Sequence, residues 1–383
     1  MKKKLKLIRI TTVPVSLDKL LNGQLRYMNQ FYEVIGISSD SEYLKKVGAK
    51  EGIETFSLEM TRKITPFLDL AAVIRLYFYL KRTSAFIVHT HTPKAGLVGM
   101  LAARLAGVPC RLHTVAGLPL MESKGLKRKL LHWVEKLTYS CATKVYPNSN
   151  GLLEIINQNR FCAPNKLMVL ANGSSNGIDT SYFTPTAVSV SQKKIVQQEL
   201  SIEATDFVYI FVGRLVKDKG INELVEAFVS LSAITPAIKL LLVGPFEPDL
   251  DPLSPSTIAY ITEHPNIISV GFQSDVRPYF AISNALVFPS YREGFPNVVM
   301  QAGAMGLPCI VTDINGCNEI VVAGENGIII PVKNVDALQE AMSRLLDLGC
   351  YSSLQEKARE MITSRYEQHL IWEALLEEYK QLV

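Results

Sequence analysis

Phe207-Val-Tyr-Ile-Phe-Val-Gly-Arg-Leu-Val-Lys-Asp-Lys-Gly-Ile-Asn-Glu-Leu-Val-Glu-Ala-Phe-Val-Ser-Leu231 decides the fold. Phe207–Val212 is a continuous apolar run without alternation, the pattern of a strand buried on both faces. Ile221–Leu231 then repeats apolar residues at helical spacing. Between them Gly213–Gly220 is a loop holding Arg214, Lys217 and Lys219. Strand, loop and helix in that order are the start of a parallel β-α-β unit.

The same alternation extends in both directions. Downstream strand candidates are Ile238–Val243, Ile267–Val270, Ala285–Pro289, Pro308–Thr312 and Ile328–Ile330. Upstream they are Leu5–Ile10, Tyr32–Ser38, Ala85–His89, Cys110–Val115, Lys144–Pro147 and Leu167–Leu170. Helical segments between them include Ala95–Ala106, Leu126–Thr138, Asn297–Met305 and Val335–Leu348. Thr180–Ser191, rich in Thr, Ser and Pro, reads as a linker. The expectation is α/β: two doubly wound parallel domains, 1–179 and 180–383, facing across a cleft, with ligands at the carboxyl ends of the strands. A final helix over about 366–383 is expected to pack back on the first domain.

A chain of 383 residues suits two domains, and 48% apolar content with mean hydropathy +0.16 excludes a disordered or fibrous protein. Six cysteines without a C-x-x-C pair read as reduced thiols in a cytosolic protein without a zinc cluster. Lys2–Lys4 resemble the start of a signal peptide, but Lys6 and Arg9 interrupt the apolar stretch and no small-residue cleavage site follows. Leu68–Leu80, the most apolar helical segment, is too short to cross a bilayer. The net charge of +4 conceals a division, since residues 1–175 carry +15 and residues 176–383 carry −11. The basic half is expected to meet an anionic partner.

Two loops carry the chemistry. Ser290-Tyr-Arg-Glu-Gly-Phe-Pro-Asn297 follows a strand and opens a helix whose first N–H groups are free for an anion. Arg214 and Lys219 stand at another strand's carboxyl end, a planar fork and a point charge suited to a diphosphate. Salt bridging of these cations to Asp218 and Glu223 is the plainer alternative.

The ordered set Gly213-Arg214…Lys219-Gly220, Val270-Gly271-Phe272, Ser290…Glu293-Gly294-Phe295-Pro296, Gly306-x-Pro308 and Asn326-Gly327 resembles the family-4 retaining glycosyltransferases of the two-domain GT-B type. Pro147-Asn148-Ser149, Asn176-Gly177-Ile178-Asp179, Val88-His89-Thr-His91 and Gly107-Val-Pro109 extend the resemblance over nearly the whole chain. Gly173-Ser-Ser-Asn-Gly-Ile-Asp179 resembles the bacterial subgroup that builds capsule, O-antigen or exopolysaccharide. The resemblance implies two Rossmann-like domains and sugar transfer from a nucleotide sugar, UDP-linked in our reading, to a polyprenyl-diphosphate-linked saccharide. It implies that Arg214 and Lys219 neutralise the donor's diphosphate and that Glu293 holds donor-sugar hydroxyls. Amides around Gly294, Phe295, Pro296 and Asn297 would frame the sugar, the nucleobase would lie near Gly271 and Phe272, and Gly23 would let the diphosphate pass closely. No cofactor or metal is implied.

Two positions depart from the family. Gln301 stands where a second carboxylate would hold the ribose, and Ala116 stands where many relatives carry His. His91 is the substitute candidate for that imidazole. Asp249-Leu250-Asp251, in a proline-rich loop, reads as a solvated turn rather than a metal site. Over Glu122–Thr138, apolar Leu126, Leu130, Trp133, Val134 and Leu137 share a helical face beside Lys124, Lys127, Arg128 and Lys129. That pattern suits a helix lying on an anionic membrane surface; a helix packed on the sheet with a cationic rim is the alternative. Lys94 is the candidate contact for the acceptor's diphosphate. Nucleic acid is not expected, because no recognition motif accompanies the charge. The expected location is the cytoplasm, peripheral on the inner face of the membrane. Two other readings stay open: a nucleotide-sugar 2-epimerase of the same fold, and a non-catalytic nucleotide-sugar-binding subunit.

Overall fold

The computed structural model describes residues 4–249 and 251–382, with Glu122 described by its backbone alone. Lys2, Lys3, Leu250 and Val383 of the segments discussed above lie outside them. The chain divides into two compact units, Met1–Gly177 with His369–Val383, and Ile178–Gln368.

The first unit is built on β1 (Lys6–Ile10), β2 (Glu33–Ser38), β3 (Glu54–Ser57), β4 (Ile87–His91), β5 (Cys110–Val115) and β6 (Lys144–Pro147). All are parallel, in the order β3-β2-β1-β4-β5-β6. The second unit is built on β7 (Phe207–Val212), β8 (Ile238–Val243), β9 (Ile267–Ser269), β10 (Ala285–Phe288), β11 (Cys309–Thr312) and β12 (Gly327–Ile330). Counted from the β9 edge, its order is β9-β8-β7-β10-β11-β12, the same topology repeated. In each sheet the winding reverses between the first and fourth strands, and the loops leaving that pair diverge to opposite faces. A crevice therefore opens beyond their carboxyl ends. The two loops singled out above leave β7 and β10, the reversing pair of the second unit.

Helices cover both sheets. Those that matter below are α1 (Pro66–Thr83), α2 (Pro93–Ala106), α3 (Gly125–Cys141), α4 (Ile221–Ser232), α5 (Asn297–Ala304) and α6 (Gln368–Gln381). Pro66 and Pro93 start their helices at the position where a missing N–H costs nothing. The last helix, α6, buries Ile371, Trp372, Leu375, Leu376 and Tyr379, and Leu375, Leu376 and Tyr379 join the core formed by Leu7, Leu17 and Ile87 of the first unit. Side chains of this kind contribute about 1.5–3 kcal/mol each when fully buried.

Several expectations need correction. Leu167–Leu170 is not a strand: it makes one bridge, Val145 to Leu167, and stays half-exposed. The third strand is Glu54–Ser57, whose Glu-Thr-Phe-Ser lacks an apolar run because it forms a half-exposed sheet edge. The strand expected at Ala85–His89 lies at Ile87–His91, which places His91 inside the sheet. Thr180–Ser191 is not a free linker. Asp179 Oδ1 accepts from the amides of Ser181 and Tyr182, Phe183 is buried in the second core, and the change of unit falls at Gly177 and Ile178.

Candidate active site

Within the second unit the loops after β7 and β10 are laced together. The Tyr291 amide donates to the Asp218 carbonyl at 2.9 Å, and Arg292 Nη2 lies 2.7 Å from Asp218 Oδ2. The Tyr291 hydroxyl donates to Glu223 Oε1 on α4 at 2.6 Å. Gly220 makes this approach possible, since a Cβ there would sit 2.2 Å from the Pro289 carbonyl oxygen. Gly316, at φ +76°, presses the loop after β11 on the same segment, where a Cβ would meet Gly294 O at 2.4 Å. Asn315 Nδ2 adds hydrogen bonds to the carbonyls of Glu293 and Gly294, at 3.1 and 2.7 Å.

This frame joins Lys219 to Glu293: Nζ is ion-paired with Oε1, and both side chains are largely buried. The Ser290 hydroxyl donates to the same Oε1 at 2.9 Å, and the ammonium stands 5.6 Å from the Phe288 ring centre. Beneath them Cys317 is fully buried; burial first and the Glu293 carboxylate second hold its thiol well above the usual range, so it packs as a neutral group. Arg214 is half-exposed and bonds Glu247 Oε2 at 2.7 Å, which raises its guanidinium above the usual value. The cations therefore pair with Glu293 and Glu247, not with Asp218 and Glu223. Asp251 Oδ2 accepts the Asp218 amide at 2.6 Å, tying the Asp-x-Asp turn to the loop. Among the described residues no group of three or more metal-ligating side chains forms.

The remaining donor candidates lie on the segments that follow β9 and β10. α5 begins at Asn297 with no side-chain cap on its first turn, behind buried Pro296. The Phe295 ring is buried, 5.4 Å from Tyr366. Gln301 lies four residues after Asn297, on the same helical face and partly exposed. Gly271, at φ +65°, has open space where a Cβ would stand, and Phe272 is 74% exposed at the end of the edge strand β9.

Three first-unit candidates are not free. His91 is buried, with Nε2 3.1 Å from Arg9 Nε and 2.9 Å from Arg9 Nη2, and its ring stacks on His89. Burial first lowers both imidazoles well below the usual value, helped by His91 and then Arg9 at His89 and by Arg9 at His91, so they are neutral. A nitrogen already engaged by a guanidinium is a poor substitute for the imidazole missing at Ala116. Lys94 is ion-paired with Asp69, linking the first turn of α2 to α1, with both side chains largely buried. Gly23 owes its lack of a side chain to packing: a Cβ would lie 2.8 Å from Trp372 Cη2 of α6.

The basic helix is exposed over its first half, while its second half packs on the first unit, burying Glu135, Thr138, Tyr139 and Cys141 with Leu137 against the core. From Lys124 to Leu130 every residue is exposed, and Lys127, Arg128 and Lys129 face no carboxylate among the described residues. Leu126, Leu130 and Trp133, at spacings of four and three, form an apolar stripe that is 83%, 48% and 70% exposed. The sequence reading missed a second stripe. On α1, Phe67, Leu70, Ile74 and Phe78 are exposed on one side while Ala72, Val73, Leu76 and Leu80 are buried on the other. Helix α2 packs against both α1 and α3. Arg9 was missed as well. Fully buried in β1, it donates to Gln24 Oε1 at 2.6 Å and to the Tyr379 hydroxyl at 3.1 Å. A charge flanked by apolar residues in a strand is the signal that could have exposed it.

Comparison with known proteins follows the same division. The description "Glycosyl transferases group 1" matches residues 192–368, and "Glycosyl transferase 4-like domain" matches residues 32–173. The chain is 32% identical over 372 residues to the capsular polysaccharide biosynthesis glycosyltransferase CapM of Staphylococcus aureus, covering 97% of this chain and 95% of CapM. It is 29% identical over 313 residues to the Escherichia coli UDP-Gal:alpha-D-GlcNAc-diphosphoundecaprenol alpha-1,3-galactosyltransferase, covering 80% and 78%. The crystal structure of Anabaena HepE in complex with UDP and glucose superposes with a TM-score of 0.80 at 16% identity, over 98% of this chain and all of that one.

Proposed function

The chain belongs to the group 1 glycosyl transferases and is a glycosyltransferase; from that premise we propose that it moves a sugar from a UDP-sugar to a polyprenyl-diphosphate-linked saccharide, with retention, in capsule or related surface-polysaccharide synthesis. The observation that carries the reading is the Lys219–Glu293 pair, held where the loops of the reversing strands β7 and β10 meet. An ammonium and a carboxylate side by side suit the two halves of a glycosyl diphosphate. Lys219, with Arg214 released from Glu247, stabilises negative charge on the departing diphosphate, and Glu293 accepts hydroxyls of the donor sugar. The uncapped start of α5 adds the amides around Asn297. Phe272 offers a face for the nucleobase, and Gln301 offers an uncharged contact for the ribose. The bond between the anomeric carbon and the diphosphate oxygen breaks as the acceptor hydroxyl bonds to that carbon on the same face. The hydroxyl proton passes to a donor phosphate oxygen. No metal is required in this reading.

The acceptor calls for a membrane. We place the first unit on an anionic leaflet through α3, with Lys124, Lys127, Arg128 and Lys129 at the headgroups and Trp133 at their boundary. The α1 stripe supplies further apolar surface. No helix is long and apolar enough to cross a bilayer among the described residues.

The test is transfer itself. UDP- and GDP-sugars are screened for thermal stabilisation, and the strongest is incubated with short-chain polyprenyl-diphosphate saccharides while UDP release and product anomer are followed. Acceptor-dependent release with the donor's anomeric configuration supports the proposal. An epimer formed from donor alone indicates the 2-epimerase, and binding without release under every acceptor indicates a binding subunit.

A further inference from the structure

A cavity of about 270 Å³ opens in the first unit at the carboxyl ends of β4 and β5. Its walls include Thr92, His113, Thr114, Ala116, Leu118 and Glu135. Most of its polar atoms are already committed. The Thr92 hydroxyl is 2.8 Å from that of Thr12, Thr114 Oγ1 is 2.7 Å from His89 Nε2, and His113 Nδ1 is 2.8 Å from Thr90 Oγ1. Glu135 is different. It lies on the inward face of α3, 5% exposed, with no Lys, Arg or His paired to it among the described residues. Burial raises its carboxyl to about 7, offset in part by the Tyr139 hydroxyl beside it. A carboxyl taken out of water without a cation is costly unless hydrogen-bond donors meet it.

The charges around the cavity select its occupant. In its ionised form Glu135 disfavours an anion. The first turn of α2, which starts at Pro93 on the cavity wall and has no side-chain cap, disfavours a cation. What remains is a neutral molecule with hydroxyls that donate to Glu135 and accept from backbone amides. Pro93, Val115, Leu118 and Pro119 present apolar surface to the C–H face of a ring. Ala116, an exposed residue of the wall, adds little bulk there, and Gly96 lets His113 pack into the wall, since a Cβ there would lie 2.5 Å from His113 Cε1.

We propose that this cavity seats one neutral sugar ring, with Glu135 accepting hydrogen bonds from its hydroxyls. Taken with the transferase reading, on which this last step rests, the ring is the terminal sugar of the acceptor. Glu135 then binds and orients it rather than taking its proton.

The experiment is saturation-transfer NMR on the full chain with glucose, galactose, N-acetylglucosamine and N-acetylgalactosamine, each free and as a short-chain polyprenyl diphosphate. At least one is expected to bind wild type, at least tenfold more weakly to Glu135→Ala and to Ala116→Phe, with partial recovery in Glu135→Gln. UDP affinity is expected to stay within twofold in all three. Ala116 is exposed on the cavity wall, so Ala116→Phe adds a ring there without disturbing the core and carries the test if Glu135→Ala does not fold. Absence of binding by every sugar overturns the proposal, as does binding that Ala116→Phe leaves unchanged, or a parallel loss of UDP affinity. Sugar binding with these losses, but no UDP release under any acceptor, sustains the cavity and defeats the transferase reading instead.

Discussion

Replacing Glu135 by Gln makes the stability of the first unit respond differently to pH. The carboxyl titrates at 4.5 in its reference state and at about 7 in the fold. Between those values the folded chain holds a proton that the unfolded chain has released. The free energy of unfolding therefore falls as pH rises, and the whole loss is present above about pH 7. A displacement of this size is worth about 3 kcal/mol at roughly 1.4 kcal/mol per pH unit. Gln does not titrate, so the variant gains on wild type by about 3 kcal/mol between pH 4.5 and 8.5. Any fixed cost of the new amide is the same at both pH values, and the buried His89, His91 and His113 titrate alike in both proteins. Both tryptophans, Trp133 and Trp372, belong to the first unit, so tryptophan fluorescence during urea unfolding reports on that unit alone. A difference between variant and wild type that stays constant with pH would refute the buried, cation-free placement of Glu135.

Other substitutions address the second unit and the membrane. Lys219→Ala should lower kcat about 100-fold in a UDP-release assay, as loss of one charge-stabilising group does; it also leaves the largely buried Glu293 carboxylate without its cation, so the melting temperature should fall as well. Glu247→Gln frees Arg214 from a half-exposed pair worth at most about 1 kcal/mol, so UDP binding should tighten up to about fivefold by calorimetry. A tenfold weakening would mean that Glu247 itself holds the nucleotide. Gly316→Ala, at φ +76° and against Gly294 O, should cost about 1–3 kcal/mol in stability and weaken UDP binding. Sedimentation with phosphatidylglycerol–phosphatidylethanolamine vesicles should be lost on reversing Lys127, Arg128 and Lys129 to Glu, and reduced by Phe67→Ser with Ile74→Ser; unchanged sedimentation in both removes the docking surface.

Burial made the strands legible and also hid part of the site. Runs such as Phe207–Val212 and Leu240–Val243 declare themselves because both faces are covered and every position is apolar. Glu54–Ser57 is an edge strand and carries no such mark. Lys219 and Glu293 were legible because each sits in a loop that a buried strand delivers to the sheet's carboxyl end. Their partners were not. Glu247 reaches Arg214 only because β7 and β8 are neighbours in the sheet, and Asp69 reaches Lys94 only because α1 lies against α2. Glu135 sits between Val134 and Lys136 in a stretch that reads as amphipathic, and nothing local shows that its side chain turns inward. Arg9 misled for the opposite reason: a charge within an apolar run looks like an interruption until Gln24, His91 and Tyr379 are seen around it.

A crystal structure of the chain with its UDP-sugar tests the central claim most directly. The account predicts the β-phosphate within about 3 Å of Lys219 Nζ, the distance of a charge-assisted hydrogen bond, with Arg214 turned from Glu247 toward it and the sugar hydroxyls on Glu293. A nucleotide bound away from the β7 and β10 loops, with the Lys219–Glu293 and Arg214–Glu247 pairs both intact, would contradict it.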